Sequence, residues 1–284
     1  MIEPRHRQRA AASRGSPNGW LLGAPPAVFL LVFFLAPALL MVGASFQEPG
    51  EFGGLAPLLQ DGRLNLSLES YRFFFGDRIY AEIFLRSFIV AAATTLICLM
   101  LAYPLALAIA QSAKRRRDLL VLLVILPFAS NFLIRIYAWI VLLGPAGLLY
   151  TPGAVIAGMV YVHLPFMVLP LYANLEKHDP ALLEAAQDLG AGRWTRFRRI
   201  TLPLSLPGVW AGSALVFIPV LGMFAVPELL GGTRDMLIGN LIKEQFLDNR
   251  DWPLGASLSI LLTVGVLLLA GLSAWSARPR RSVP

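Results

Sequence analysis

What this chain lacks is charge. Only 14% of its 284 residues are Asp, Glu, Lys or Arg, while 57% are hydrophobic; a soluble domain carries about 25% charged and 45–50% apolar residues. So few charges cannot cover a soluble surface. That excludes a soluble enzyme, a nucleic-acid-binding module and a disordered tail as descriptions of the whole chain. Cysteine is nearly absent too: Cys98 is the single one, inside an apolar run, so no internal disulfide forms and no thiolate metal site is suggested. There is no G-x-x-x-x-G-K-[ST] phosphate loop, and the chain is therefore not itself an ATPase. H-E-x-x-H, G-x-S-x-G and paired carboxylates in apolar surroundings are also missing, which disfavours a membrane enzyme.

The missing charges are missing in blocks. Gly15–Gln47, Ser87–Ala113, Thr201–Pro227 and Trp252–Ala277 contain no formal charge, and Leu119–Leu175 contains only Arg135. A spanning helix needs roughly 20 apolar residues. The longest block holds two spans around a turn at Gly144-Pro145-Ala146-Gly147 and Thr151-Pro152-Gly153. Six spans are expected, near 20–46, 87–111, 119–143, 154–175, 206–227 and 254–277. The runs are continuously apolar rather than alternating, so the fold class is an all-α polytopic membrane protein and not a barrel. The first span has a basic flank (Arg5, Arg7, Arg9, Arg14) like a secretory signal, but its apolar stretch is too long for one and is read as a retained helix.

Six spans place both termini on one side. On that side, the N-terminal arm, Lys114–Arg117, the loop after the fourth span and the tail carry 16 Lys and Arg; the opposite loops, 47–86 and 228–251, carry 7, with 11 Asp and Glu. The basic side faces the cytoplasm. The organisation expected is a basic cytoplasmic arm over 1–19, a six-span domain over 20–277 with its core at about 87–277, and a basic cytoplasmic tail over 278–284.

The loop over 176–205 is longer than a turn needs. Asp179-Pro180 is a helix start. Leu182, Ala185, Ala186 and Leu189 recur on one face, and Gly190 and Gly192 end the helix. A basic segment, Arg193 to Ile200, follows, and Pro203 and Pro207 close the loop. An apolar face on so short a loop helix points either to docking on another protein or to lying on lipid, with Arg196, Arg198 and Arg199 at headgroups.

Residues Glu184–Gly208 resemble the "EAA" loop of ABC importer permeases: Glu184-Ala185-Ala186, then Gly190, then Ile200-Thr201-Leu202-Pro203. Further segments are similar to the spermidine/putrescine permeases: Leu126–Trp139, Leu164–Ala191, Val226–Gly232, Leu237–Ser257 and the pair Tyr103-Pro104. The resemblance covers roughly residues 65–265. It implies the ABC type I importer permease (MetI-like) fold and a bacterial inner-membrane location. It also implies a coupling helix seated on a cytosolic ATPase dimer that uses the ATP and Mg, a second permease subunit, and a periplasmic substrate-binding protein. No cofactor and no nucleic-acid partner is expected for this chain itself.

Arg135 lies inside the third span, where a charge is costly and faces a cavity or an acidic partner, with Glu228 as candidate; the alternative is that it snorkels to headgroups. Glu228, Asp235 and Asp251, with Trp252 and Tyr137, are candidates for a polyamine path, since a chain of ammonium groups favours spaced carboxylates and aromatic faces. The same carboxylates serve equally well as solvated loop structure. His163 reads as a satisfied buried imidazole. The expectation is a permease translocating polyamines by alternating access. Alternatives are an importer for iron, thiamine or a similar solute, or an ion-gradient secondary transporter. The last is disfavoured because Asp and Glu are missing from all six spans.

Overall fold

The computed structural model describes residues 19–57, 59, 60, 63–232 and 235–276. The arm expected at 1–19, apart from Gly19, and the tail expected at 278–284 lie outside them. Five helical runs are long and apolar enough to cross a membrane: Ala24–Ala44, Arg78–Ala110, Pro152–Leu175, Arg193–Gly222 and Trp252–Gly271. A bent pair makes a sixth if it counts as one span.

In chain order the first run comprises α1 (Gly19–Leu30) and α2 (Ala36–Ser45). A segment with a two-residue hairpin, β1 (Leu59–Gln60) against β2 (Arg63–Leu64), follows, then α3 (Glu69–Gly76) and the long α4 (Arg78–Ala110). α5 (Lys114–Ile125) and α6 (Phe132–Leu143) form the bent pair; α7 (Pro152–Leu175) is the fourth run. α8 (Ala181–Asp188), α9 (Arg193–Arg196), α10 (Leu202–Gly222), α11 (Ala225–Leu230), α12 (Ile238–Leu247) and α13 (Trp252–Ser276) complete the chain. The hairpin is the only sheet among the described residues, beside an isolated bridge between Pro49 and Leu55, so the all-α expectation holds.

The core is α4, α7 and α10 packed on one another. Ala91, Cys98, Ala102 and Ala106 lie on one face of α4 at helical spacing and are all fully buried. Small side chains let membrane helices approach closely, where dispersion rather than water release drives packing. The Tyr103 hydroxyl of α4 meets Ser205 Oγ of α10 at 2.8 Å. α7 is the most enclosed run, 61% buried, and His163 within it places Nδ1 2.8 Å from the Met159 carbonyl. The first run is the opposite case, 6% buried and packed mainly on α13.

Two expectations need correction. The third span is not continuous over 119–143: α5 passes through a 3₁₀ turn at Leu126–Ala129 and meets α6 at 91°. Pro127 sits in that turn, Ser130 Oγ donates to its carbonyl at 2.7 Å, and Asn131 Oδ1 caps α6 by accepting from Leu133 N at 2.8 Å. A proline, a turn-closing serine and an N-cap in five residues are enough to end one helix and begin another. Nor do Pro203 and Pro207 close the loop: the fifth helical run begins at Arg193 and continues to Gly222. Pro203 cannot donate to the Arg199 carbonyl, and a wide π turn over Phe197–Thr201 absorbs the defect. The π turn at Leu31–Leu35 likewise precedes a helix whose second residue is a proline, Pro37.

Candidate functional site

Two places gather the candidate residues, one at each end of the spans. At the basic end is α8. Asp179 Oδ1 accepts from Ala181 N at 2.9 Å, starting the helix two residues before its first turn. At its other end Gly190 N donates to the Gln187 carbonyl and Ala191 N to the Ala186 carbonyl, both at 2.9 Å. This paired closure needs a left-handed residue, and Gly190 has φ +78°. Leu182, Glu184, Ala185 and Leu189 are exposed, Ala186 half-buried. Leu189 is 89% exposed and Leu182 48%. Arg196 Nη1 donates to Gln187 Oε1 at 2.7 Å, tying α8 to the start of the next run.

Behind α8 lies a groove of about 450 Å³ whose walls include Leu107, Leu175, Leu183, Ile200 and Leu204. Its rim carries the Arg117–Glu176 ion pair at 2.9 Å and His178, whose Nε2 lies 3.2 Å from the Leu204 carbonyl. Ile200 thus belongs to the groove wall, while Pro203 lies in the first turn of α10.

At the acidic end a cavity of about 700 Å³ opens between α11 and α12, with Tyr150, Glu228, Gly231, Gly232, Asp235 and Asn240 in its walls. Glu228 stands in the first turn of α11 and Asp235 just before α12. Asp235 Oδ2 accepts from Gly232 N at 3.2 Å. Tyr150 holds φ +60°, a strained setting for a residue with a side chain, and its N donates to the Leu230 carbonyl at 2.9 Å. Lys243 Nζ donates to Glu228 Oε1 at 2.7 Å. The bonded carboxylate holds the Lys243 ammonium above its ordinary pKa, so it stays charged.

α12 is fastened in other ways as well. Its first amide, Ile238 N, donates at 2.8 Å to Ser87 Oγ of α4, and that hydroxyl donates in turn to the Ile83 carbonyl at 2.7 Å. Asn240 Nδ2 donates to the Phe224 carbonyl at 2.9 Å, and its Oδ1 is buried with no donor among the described residues. Ile238 and Leu241 pack with Phe74, Leu254 and Leu258. Gly239 lies against the end of α10 so closely that a Cβ there would meet the Gly222 carbonyl oxygen at 2.8 Å.

The structure therefore brings together Glu228 and Asp235, and no other pair from the expected path. Arg135 does not pair with Glu228, which is taken by Lys243. Its guanidinium sits over the rings of Phe128 and Phe132, 5.4 and 5.9 Å from their centroids, because the bend folds α5's end against α6. Tyr137, on the same helix, is exposed. Asp251 caps α13, its Oδ1 accepting from Leu254 N at 3.1 Å, and Trp252 is the exposed first residue of that helix. Sequence reasoning missed Tyr150, Asn240, Lys243 and Ser87. The first three are polar residues beside turns or three apart on one helix face, a spacing that places side chains together; nothing local marks Ser87.

A protein-family model described as "Binding-protein-dependent transport system inner membrane component" matches residues 100–281. The chain is 41% identical over 260 residues to the spermidine/putrescine transport system permease protein PotB of Escherichia coli K12, covering 85% of this chain and 92% of that one. It is 42% identical over 262 residues to the protein of the same name in Haemophilus influenzae Rd, covering 85% and 87%. Among solved structures, a bacterial alginate ABC transporter in complex with a pentasaccharide-bound periplasmic protein contains a chain matching with a TM-score of 0.71 over 94% of this chain and 96% of that one. At 18% identity that match speaks to the fold alone.

Proposed function

Because the chain belongs to the family of binding-protein-dependent transport system inner membrane components, and is thereby a permease subunit of an ABC importer, we propose that its cargo is a polyamine, spermidine or putrescine. The observation that carries this reading is identity of 41–42% over 85% of the chain to relatives bearing that cargo in their names. The cavity at the acidic end supports it: two carboxylates and a tyrosine ring suit a flexible chain of ammonium groups.

In this reading a periplasmic binding protein delivers the polyamine to the acidic end, which faces outward, and the basic end with both termini faces the cytoplasm. A separate ATPase dimer, holding ATP and Mg, receives α8. Its exposed Leu182, Ala185 and Leu189 meet a groove on that partner, and the small side chains of Ala185 and Ala186 let the partner come close to the backbone. Glu184, beside the stripe, takes a charged hydrogen bond from a basic residue there. Closure of the dimer moves α8, the spans rock, and the path opens inward. A second permease subunit supplies the other half of that path.

The test is uptake of radiolabelled spermidine and putrescine into proteoliposomes holding the whole complex, with binding protein and ATP. Saturable, ATP-dependent entry of at least one polyamine is expected. ATP-dependent entry of a different solute, with neither polyamine moving, would refute the cargo.

A further inference from the structure

The lysine side chain is an aminobutyl group, four carbons ending in a primary ammonium on a flexible stem. Putrescine and spermidine end in the same group. On Glu228, in the wall of the acidic-end cavity, one aminobutyl group is already seated, with Lys243 Nζ 2.7 Å from Oε1. We propose that Lys243 is a tethered stand-in for the cargo, holding Glu228 until a polyamine ammonium displaces it. The inference rests on the polyamine reading and adds to it a residue that sets affinity.

Three observations favour a displaceable ammonium over a structural brace. First, the pair is partly hydrated, its side chains 26% and 44% exposed for Lys243 and Glu228; pairs of that kind are weak and open readily. Second, α12 does not need it. Ser87 caps the helix, Asn240 bonds the Phe224 carbonyl, and Ile238 and Leu241 are buried beneath it. Third, the charges match only after displacement. With Lys243 in place, the described lining residues and Lys243 hold Glu228, Asp235 and one internal cation. With it swung away, two carboxylates meet two or more cargo ammonium groups. The ammonium keeps its proton beside Glu228, so it competes as a cation.

The experiment is equilibrium binding of radiolabelled spermidine to the purified complex of permeases and ATPase, without the binding protein, whose own affinity would mask the site. Lys243→Met keeps a linear stem and removes the charge; it is expected to tighten binding about three- to fivefold, the scale of one partly exposed ion pair. Glu228→Gln is expected to weaken binding, Lys243→Arg to stay near wild type, and the double variant to match Glu228→Gln alone. Recovery of ATPase with each variant shows that the complex has assembled. A Lys243→Met complex that assembles and binds spermidine no more tightly than wild type overturns the proposal, and import by wild type in that case leaves the polyamine reading standing. A wild-type complex that neither binds nor imports either polyamine overturns both.

Discussion

α8 and α12 are both short helices between spans, eight and ten residues long, and both carry an apolar stripe. α12 turns its stripe inward: Ile238 is fully buried and Leu241 is 6% exposed, under Phe74 and α13. α8 turns its own outward, with Leu189 almost wholly bare. The caps differ in the same sense. α8 is closed by its own neighbours, Asp179 and Gly190, whereas α12 takes its cap from Ser87, 151 residues away. A helix that caps itself and leaves its apolar face free keeps its shape while something else covers it. One that borrows its cap and buries its face belongs to the wall it lines. Under the proposed function, that difference separates a surface covered by the ATPase from a surface that meets the cargo.

The comparison breaks most completely if the two ends do not face opposite sides of the membrane. An impermeant thiol reagent applied to intact cells should label Asp248→Cys and not Arg115→Cys, an all-or-none outcome undisturbed by the fully buried Cys98. Labelling at 115 would reverse the orientation and take α8 away from any cytosolic partner. Next in size is the closure of α8. Gly190→Val forces a side chain into φ +78°, at a cost of about 1–3 kcal/mol, and Ala185→Trp puts bulk where a partner must approach. Both should reduce co-purifying ATPase and substrate-stimulated hydrolysis by tenfold or more on the order-of-magnitude scale of a lost interface anchor, with unchanged amounts in the membrane. Full recovery in both would return α8 to the lipid surface.

A matched pair of truncations sharpens the contrast further. Leu241→Ala should destabilise the purified protein by about 2–5 kcal/mol, as for a filled core position, and leave ATPase recovery per folded molecule intact. Leu189→Ala should change stability by about 0.5 kcal/mol or less and lower ATPase recovery instead. Thermal melting with pull-down in parallel reads both, and equal melting shifts would erase the distinction. The smallest effect belongs to Ser87→Ala, where loss of the borrowed cap is worth about 1 kcal/mol. Faster hydrogen exchange at the start of α12, with α8 unaffected, is the expected sign; unchanged exchange would mean water replaces the hydroxyl without loss.

What the residues disclosed on their own follows the range of the interactions. The apolar middle of each span, the start of α8 at Asp179 and its end at Gly190 depend on neighbours within a turn or two, and these were legible. The break at Ser130-Asn131 is also local, set by Pro127 and the capping Asn131 within five residues. Glu228 is not the partner of Arg135 because the surroundings of Arg135, Phe128 and Phe132, follow from that bend. Pro203 and Pro207 read as breakers, yet the fifth run begins before them because a π turn absorbs the first. Lys243 against Glu228 and Ser87 against Ile238 depend on how separate helices are set side by side, which no local pattern encodes.

The run from Arg193 to Gly222 joins the two regions as a shaft. Thirty residues make it about 45 Å long. Near its basic end Arg196 bonds Gln187 of α8. At its acidic end Gly222 lies so near Gly239 of α12 that a Cβ there would not fit, and Phe224, just beyond, accepts from Asn240. A shaft carries rotation where a loop would dissipate it. Turning it by 10° moves atoms on its rim, some 5–6 Å from the axis, by about 1 Å. Slack along it lies at the wide turn over Phe197–Thr201, close to α8, and at Pro207 and Pro219, each of which lacks a backbone donor. At the other end a side chain on Gly239 would meet Gly222, so the run ends against the cavity wall with no space for one.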